Sequence, residues 1–345
     1  MLKKILAIVL LVSFLFVGCK NIDIEGDVEE IETIQNEKHR KISVWTTYWD
    51  TEDLEKEINK ISNSIENISY FAAYFHKDGQ LFIPEEVNKT YKMVNENYSK
   101  QDFGSYLSIV NDLIKEDGTS SLKDTELLYE LLSSKNSMKK HIEEIIDMVL
   151  DNGYKGIEID YEGMKENLEL WSLFVDFLEN LQIEADKENL KLRVLLEPNF
   201  PLDSIILPEG PEYTIMCYNL HGTGTKPGPK ADKNFILNMV EKMEELPGKI
   251  SFAMATGGFK FYEDKVMQLT ERQAVELANI YNSEITRDKE SKALYFSYVE
   301  SNTEYEIWYA DYETLDYWFS IIEDRGKGDY GLSLWRLGGN ISLDF

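Results

Sequence analysis

Three carboxylates lie at alternate positions of one short apolar segment, which is an unusual pattern for a strand. Glu158, Asp160 and Glu162 occur in the stretch GIEIDYE, after an amphipathic helix-like run that ends near Gly153. In a β-strand alternate side chains point to the same face, so the three acids share one face. Like charges on one face repel each other, and no basic residue lies between them in the sequence. Carboxylates held close together cannot all keep ordinary pKa values, which is typical of acid–base sites.

The alternative interpretation is a half-solvated strand whose polar face is in water, and the neighbouring elements bear on this choice. Strand-like and helix-like runs alternate after residue 40, with strand-like runs at 42–49, 68–75, 106–110, 157–160, 190–197, 213–218, 249–256 and 331–335. Eight alternations predict a (β/α)8 TIM barrel. No glycine-rich phosphate loop follows the first strand, which weakens the case for an open doubly wound sheet. The run 293–311 breaks the alternation and predicts a small β-hairpin insertion before the last helix and strand.

In such a barrel the three acids would point inward, toward the C-terminal mouth where active sites of this fold lie. Ile157 and Ile159 would then pack outward against the helices. Glu197 ends the fifth strand and is predicted to face the same site, with a salt-bridged residue at the rim as the alternative.

Composition excludes several classes of function. The net charge is −27, which makes nucleic acid a poor partner and an anionic membrane surface a repulsive one. The 4 histidines are scattered without the spacing of metal ligands, so we expect neither a metal nor a cofactor.

The N-terminus is similar to a bacterial lipoprotein signal. A basic start, MLKK, precedes the apolar run ILAIVLLVSFLFVG, which is too short for a confident membrane-spanning helix. It ends at Cys19, so the resemblance implies a signal peptide over 1–19 with lipidation at Cys19; an uncleaved N-terminal anchor is the alternative. A flexible tether over 20–40 and one catalytic domain over 41–345 would follow. These features predict an extracytoplasmic protein anchored to the bacterial cell membrane.

Four regions of the chain resemble glycoside hydrolase family 18, the chitinase-like family. The family carries D-x-x-D-x-D-x-E on its fourth strand; here Asp160 and Glu162 match, whereas Lys155 and Glu158 depart. The sixth strand carries M-x-Y-D in the family and MCYN here. The eighth ends on a tryptophan, as in GLSLW here. The loop HGTGTKPGPKAD resembles the branch of bacterial spore-lytic and germination-associated N-acetylglucosaminidases.

The resemblance implies a hydrolase that cleaves β-1,4 bonds next to N-acetylated sugars with retention, using the acetamido oxygen of the substrate as nucleophile. Glu162 would be the general acid, Asp160 would hold the acetamido group, and Tyr218 would hydrogen-bond its carbonyl. Glu158 would share a proton with Asp160. Further substrate-binding residues would be Trp335, Met216, Asn219, Tyr48, Glu197 and His221.

Several alternatives remain open at this point. His221 contacts substrate or packs its own loop, and Tyr48 lines a sugar cleft or fills the core. The expected partner is a glycan that contains N-acetylglucosamine, in peptidoglycan or chitin, and we expect a monomer. The alternative function is a catalytically inactive, lectin-like binder, although such members of the family usually lose the acid.

Asn219 replaces the aspartate of the family, and this change predicts a shifted pH profile. Without that negative charge near Glu162, the pKa of the acid should be lower, because a like charge raises it. We expect Asn219→Asp to move the corresponding limb of the pH–rate profile to higher pH. An unchanged profile in the variant would contradict this prediction.

Overall fold

The computed structural model describes residues 40–115, 119–325 and 329–345. The predicted signal peptide, Cys19 and nearly all of the tether lie outside these residues. The elements follow in the order β1 (Ile42–Thr47), α1 (Leu54–Ile61), β2 (Ile65–His76), β3 (Leu81–Phe82), α2 (Glu85–Asn97), β4 (Gly104–Ile114), β5 (Ser120–Ser121), α3 (Thr125–Leu132), α4 (Lys135–Asp151), β6 (Gly156–Asp160), α5 (Leu168–Lys187), β7 (Lys191–Leu196), a 3-10 turn (Leu202–Ser204), β8 (Glu212–Met216), α6 (Lys233–Met243), β9 (Ile250–Ala255), β10 (Gly257–Tyr262), β11 (Lys265–Leu269), α7 (Glu271–Tyr281), β12 (Thr286–Arg287), β13 (Leu294–Glu300), β14 (Thr303–Ala310), α8 (Tyr312–Arg325) and β15 (Gly331–Trp335).

Eight parallel strands close into a barrel, which confirms the predicted fold class. The barrel order is β1, β2, β4, β6, β7, β8, β9 and β15, and β15 pairs in turn with β1. The two short strands β3 and β5 add antiparallel to β2 and β4. In the part of the chain that the structure describes, no helix is both long and apolar enough to span a membrane.

The outer face of β6 packs against helices, as the alternation of its side chains predicted. Ile157 and Ile159 are fully buried in the main core together with Phe174 and Phe177 of α5. Burying each side chain of this size contributes about 1.5–3 kcal/mol. Tyr161 continues the outward series and shares a 2.7 Å hydrogen bond with His141 Nε2. This outward packing fixes the register that turns the three acids inward.

The insertion between β9 and α8 is larger than the predicted hairpin. The hairpin exists as β13 and β14, but it belongs to a five-stranded antiparallel sheet in the order β11-β10-β14-β13-β12, on which α7 packs. Gly258 lies against the neighbouring strand so closely that a Cβ atom would be 1.8 Å from the Trp308 carbonyl oxygen. The sequence TGGFKF did not predict strand β10, because glycines weaken a strand pattern. The structure shows that Gly258 is needed here for the close approach of the neighbouring strand.

A buried network of charged and polar groups fills the barrel interior below the mouth. The Arg193 guanidinium on β7 lies 3.4 Å from Glu158 and 3.0 Å from Glu212, and it donates to Ser43 Oγ at 2.9 Å. Glu158 is fully buried. It also accepts hydrogen bonds from Trp45 at 2.5 Å, Ser69 at 2.8 Å and Ser108 at 2.6 Å. The lowest of the three acids therefore has a complete set of partners.

We predict that Arg193→Met destabilises the protein by about 3–5 kcal/mol, because it leaves the buried Glu158 carboxylate without its cation. The measurement is the free energy of unfolding from urea titrations. The matched control is Lys155→Met, which removes an exposed ion pair to Asp102 with a 3.2 Å separation. Such surface pairs contribute about 0–1 kcal/mol. Equal losses in both variants would contradict the structural role of the buried pair.

Candidate active site

Asp160 occupies the middle of the carboxylate face and has an unsatisfied oxygen. Its Oδ1 atom is buried, and no group among the described residues donates a hydrogen bond to it. Burial, together with the Glu162 and Glu158 carboxylates, raises the pKa of Asp160 well above its usual range. A buried carboxyl oxygen without a hydrogen-bond donor costs free energy, so a donor on a bound ligand would stabilise it.

The hydrogen bonds of Glu158 bear on the predicted sharing of a proton. In the described chain those bonds go to Trp45, Ser69, Ser108 and Arg193, and none joins Glu158 to Asp160. The two groups interact through charge, since Glu158 contributes to the raised pKa of Asp160. Glu158 thus acts on the site as a fixed neighbour of Asp160.

Glu162 lies just beyond the end of β6, at the mouth of the barrel, and Asn111 of β4 fixes its backbone. The Asn111 Oδ1 atom accepts from the Glu162 backbone N–H at 2.9 Å, and its Nδ2 atom donates to the Glu162 carbonyl at 3.0 Å. Asn111 is itself buried. This two-point attachment holds the acid at a defined height above Asp160.

The Glu162 side chain has two charged neighbours of opposite sign. The Lys123 ammonium forms an ion pair with Glu162 and lies 3.5 Å from Glu197 Oε1. Glu197 also accepts a hydrogen bond from the Gly163 backbone N–H at 2.9 Å. Burial raises the pKa of Glu162 to about 7; Lys123 lowers it and Glu197 raises it. A carboxyl group with a pKa near neutrality is suited to general acid catalysis.

Aromatic side chains form a floor beside the acids. Trp45, Leu195 and Ala253 make a buried cluster on which Phe71, Tyr218 and Trp335 pack. The Trp335 ring meets the rings of Trp45 and Phe71 edge to face, at centroid distances of 6.0 and 4.9 Å. The Trp335 indole is partly buried, and both of these ring contacts are edge to face and not stacked.

The end of β8 contributes Met216, Tyr218 and Asn219. Met216 is buried and pairs in register with Ala253 of β9. Burial and the charges of Asp160 and Glu162 raise the pKa of Tyr218 well above its usual range, so the phenol remains a hydrogen-bond donor. Asn219 is exposed, with a left-handed backbone conformation at φ 65° that asparagine tolerates well.

Tyr48 and His221, both predicted to contact substrate, have contacts within the protein. Tyr48 is partly buried against the core. The Tyr48 ring meets Trp49 edge to face at 4.9 Å, and both follow β1. His221 Nδ1 lies 3.0 Å from the Lys226 carbonyl oxygen, and its ring lies against Gly228, where a Cβ atom would come within 2.6 Å. These contacts of His221 belong to its own loop.

Sequence reasoning missed Asn111, Lys123 and Arg193, which surround the acids. Each comes from a different element, and its importance arises only from a cross-element contact. Arg193 carried a signal, because a charged residue in the apolar run LKLRVLLE points into a core. In residues 40–115, 119–325 and 329–345, no cluster of His, Cys, Asp or Glu could hold a metal ion.

Known proteins are similar to this chain in sequence and in fold. No protein-family model matches the chain. A Bacillus subtilis protein named as a sporulation-specific glycosylase, YdhD, is 24% identical over 224 residues, which cover 60% of this chain and 53% of that protein. The chain therefore spans about half the length of this curated relative.

Solved structures share the fold over most of the chain. The spore cortex-lytic enzyme SleL of Bacillus cereus has a TM-score of 0.70 at 20% identity, over 87% of this chain and 71% of that one. A chitinase from Chromobacterium violaceum has a TM-score of 0.71 at 16% identity, over 87% and 95%. The resemblance to glycoside hydrolase family 18 is confirmed. It extends to proteins of the spore-lytic branch.

The two neighbours of Glu162 predict opposite shifts in the pH profile. A general acid must be protonated, so activity falls as the pH rises through its pKa. Lys123→Met removes the charge that lowers the Glu162 pKa and should move the alkaline limb of kcat/KM to higher pH. Glu197→Gln removes a charge that raises it and should move the same limb to lower pH. Shifts of equal sign in the two variants would contradict the assignment of Glu162 as the titrating acid.

Proposed function

We propose that the protein is a glycoside hydrolase that cleaves β-1,4 bonds next to N-acetylated sugars in a peptidoglycan-like or chitin-like glycan. The observation that carries the proposal is the row of three carboxyl groups along one face of β6 and just beyond its end, which differ in their hydrogen-bond partners. Asp160 has a buried, unpartnered oxygen, and Glu162 stands above it with a pKa of about 7. The names of the relatives, a glycosylase, a cortex-lytic enzyme and a chitinase, support the same class of reaction.

The reaction would proceed with retention in two steps. In the first, the acetamido oxygen of the substrate attacks the anomeric carbon while Glu162 donates its proton to the leaving glycosidic oxygen. In the second, water attacks the same carbon, Glu162 takes a proton from that water, and the acetamido group is restored. General acid catalysis of this kind contributes about 10²–10⁴ in rate.

Asp160 and Tyr218 would stabilise the charge that develops on the acetamido group. The free oxygen of Asp160 accepts the acetamido N–H and so orients the carbonyl toward the anomeric carbon. The Tyr218 phenol donates to the acetamido oxygen, and the sugar ring stacks on Trp335, which is partly buried on the aromatic floor. All these groups lie at the C-terminal ends of barrel strands, where TIM-barrel enzymes have their sites.

We infer from the N-terminal sequence that the enzyme acts outside the cytoplasm while attached to the cell membrane through lipids on Cys19. Several acyl chains on one residue anchor a protein stably, whereas one chain does not. A tether of about 20 residues would give the domain reach of a few tens of Å, since flexible chains extend by about 5–6 Å times the square root of their length. Metabolic labelling with a fatty acid, lost in Cys19→Ser, tests the anchor.

One observation favours a second candidate, a glycan binder without turnover. The Lys123 ammonium forms an ion pair with the very carboxylate that must be protonated for acid catalysis. If this pair persists when glycan binds, Glu162 stays ionised and cannot donate a proton. The protein would then be lectin-like while keeping its aromatic floor.

Turnover separates the two candidates. The full chain and its Glu162→Gln variant are incubated with purified peptidoglycan and with chito-oligosaccharides, and new reducing ends are identified by mass spectrometry. We expect cleavage by the parent and a loss of at least about 10²-fold in Glu162→Gln, since the variant lacks the acid. Glu166→Gln, an exposed position in the same loop, is the matched control and should keep full activity. Sugar binding without cleavage by the parent would favour the lectin-like alternative.

A further inference from the structure

A second cluster of polar and charged groups lies beside the aromatic floor. A cavity of about 340 Å³ is lined by Trp49, Asp50, Lys230, Thr256, Trp335 and Arg336, among others. We call it the Lys230 cavity. Trp335 lines this cavity and also forms part of the aromatic floor, so the cavity adjoins the floor.

Lys230 is a buried cation with an incomplete set of partners. Its ammonium donates to the Thr256 carbonyl at 2.8 Å and lies 4.9 Å from the centre of the Phe259 ring. No carboxylate of the described residues lies within salt-bridge distance of it. Burial, and then the charge of Arg336, lower the pKa of Lys230 to about 7. Burial disfavours the charged form of an amine without a carboxylate partner, and an anion bound beside Lys230 would favour that form.

Arg336 is the second cation of the cavity and is held in place by its own pair. Its Nη1 atom lies 2.7 Å from Asp50 Oδ2, and its guanidinium lies over the Trp49 ring at 5.9 Å. A guanidinium has five N–H donors, so one carboxylate contact leaves donors for another acceptor. Asp50 thus balances Arg336, while Lys230 has no carboxylate partner among the described residues.

The composition makes an uncompensated lysine more informative. The chain has 63 acidic residues and 36 lysines and arginines, so carboxylates are in large excess. The lack of a carboxylate beside Lys230 is therefore a property of its position and not of the supply of acidic residues. Trp335 lines the cavity and is also the residue proposed to stack on the sugar ring, so the glycan is a source of such an anion.

We propose that the Lys230 cavity binds a carboxylate carried by a sugar of the substrate, with Lys230 and Arg336 as its charged partners. This inference rests on the proposed function and names its substrate class. The preferred glycan is an acidic N-acetylated one, whose sugars bear carboxyl groups, rather than neutral chitin. A carboxylate at the ammonium would form a charge-assisted hydrogen bond, which is stronger than a neutral one.

The test compares substrates that differ only in this charge. Peptidoglycan strands freed of their peptides carry a carboxylate on alternate sugars, and amidation of these groups gives a neutral strand of the same shape. For the full chain we expect kcat/KM to be at least about tenfold higher on the acidic strands, which corresponds to about 1.4 kcal/mol. In Lys230→Met this preference should vanish, with the rate on amidated strands changed less than about twofold.

Two further variants separate recognition from structure. Lys230→Arg keeps the charge and should retain most of the preference, and Lys226→Met removes an exposed lysine of the same loop and should leave it unchanged. Equal rates of the parent on acidic and amidated strands would overturn the proposal. So would an equal loss on both substrates in Lys230→Met, because that result indicates a structural role of the lysine.

Binding gives a readout that does not depend on turnover. Calorimetric titration of Glu162→Gln with acidic and amidated strands measures the carboxylate preference in a protein that cannot cleave. If the parent cleaves no glycan but Glu162→Gln binds acidic strands at least about tenfold more tightly, the hydrolase proposal fails and the Lys230 cavity stands. If the parent cleaves both strands equally and binding shows no preference, the hydrolase stands and the Lys230 cavity fails.

Discussion

Glu158 is a carboxylate inside the barrel, and Arg193 on the neighbouring strand neutralises it at 3.4 Å. Taking each ion of such a pair out of water costs several kcal/mol, so the pair is tolerated only because Trp45, Ser69 and Ser108 satisfy the remaining lone pairs. Without Arg193, the full charge of Glu158 would act on Asp160, one step higher on the same face. The chemistry at the mouth therefore depends on a charge that is balanced below it.

The three acids share a strand face but differ in their surroundings, and this difference divides their roles. Glu158 is saturated with partners, Asp160 has a free buried oxygen, and Glu162 has two charged neighbours at the rim. Moving up the face, the groups become less fixed by protein and more available to a ligand. One β-strand can thus supply a structural acid, an orienting acid and a proton donor, because neighbouring elements set the environment of each.

The sequence predicted the barrel because apolar strands and amphipathic helices recur with the right periods, and the predicted runs overlap all eight barrel strands. It predicted that Glu158, Asp160 and Glu162 point into the barrel, because alternate residues of a strand lie on the same face. It could not predict Asn111, Lys123 or Arg193 as partners, since a contact between elements far apart in the chain leaves no local pattern. The sequence predicted only one hairpin of the five-stranded sheet in the insertion, because β10 begins with two glycines and β12 has only 2 residues.

Three cations, Arg193, Lys123 and Lys230, show how position decides the use of a charge in a polyanionic chain. Arg193 is buried and pairs with two carboxylates, and it serves stability because one of them, Glu158, is fully buried beside it. Lys123 is half-exposed and pairs with Glu162, so water or substrate can compete for it and its pairing can change during a reaction. Lys230 is buried, yet no carboxylate of the described chain reaches it. An anion brought by a ligand would stabilise the charged form of such a lysine, because the cost of burying the amine has already been met in the folded protein.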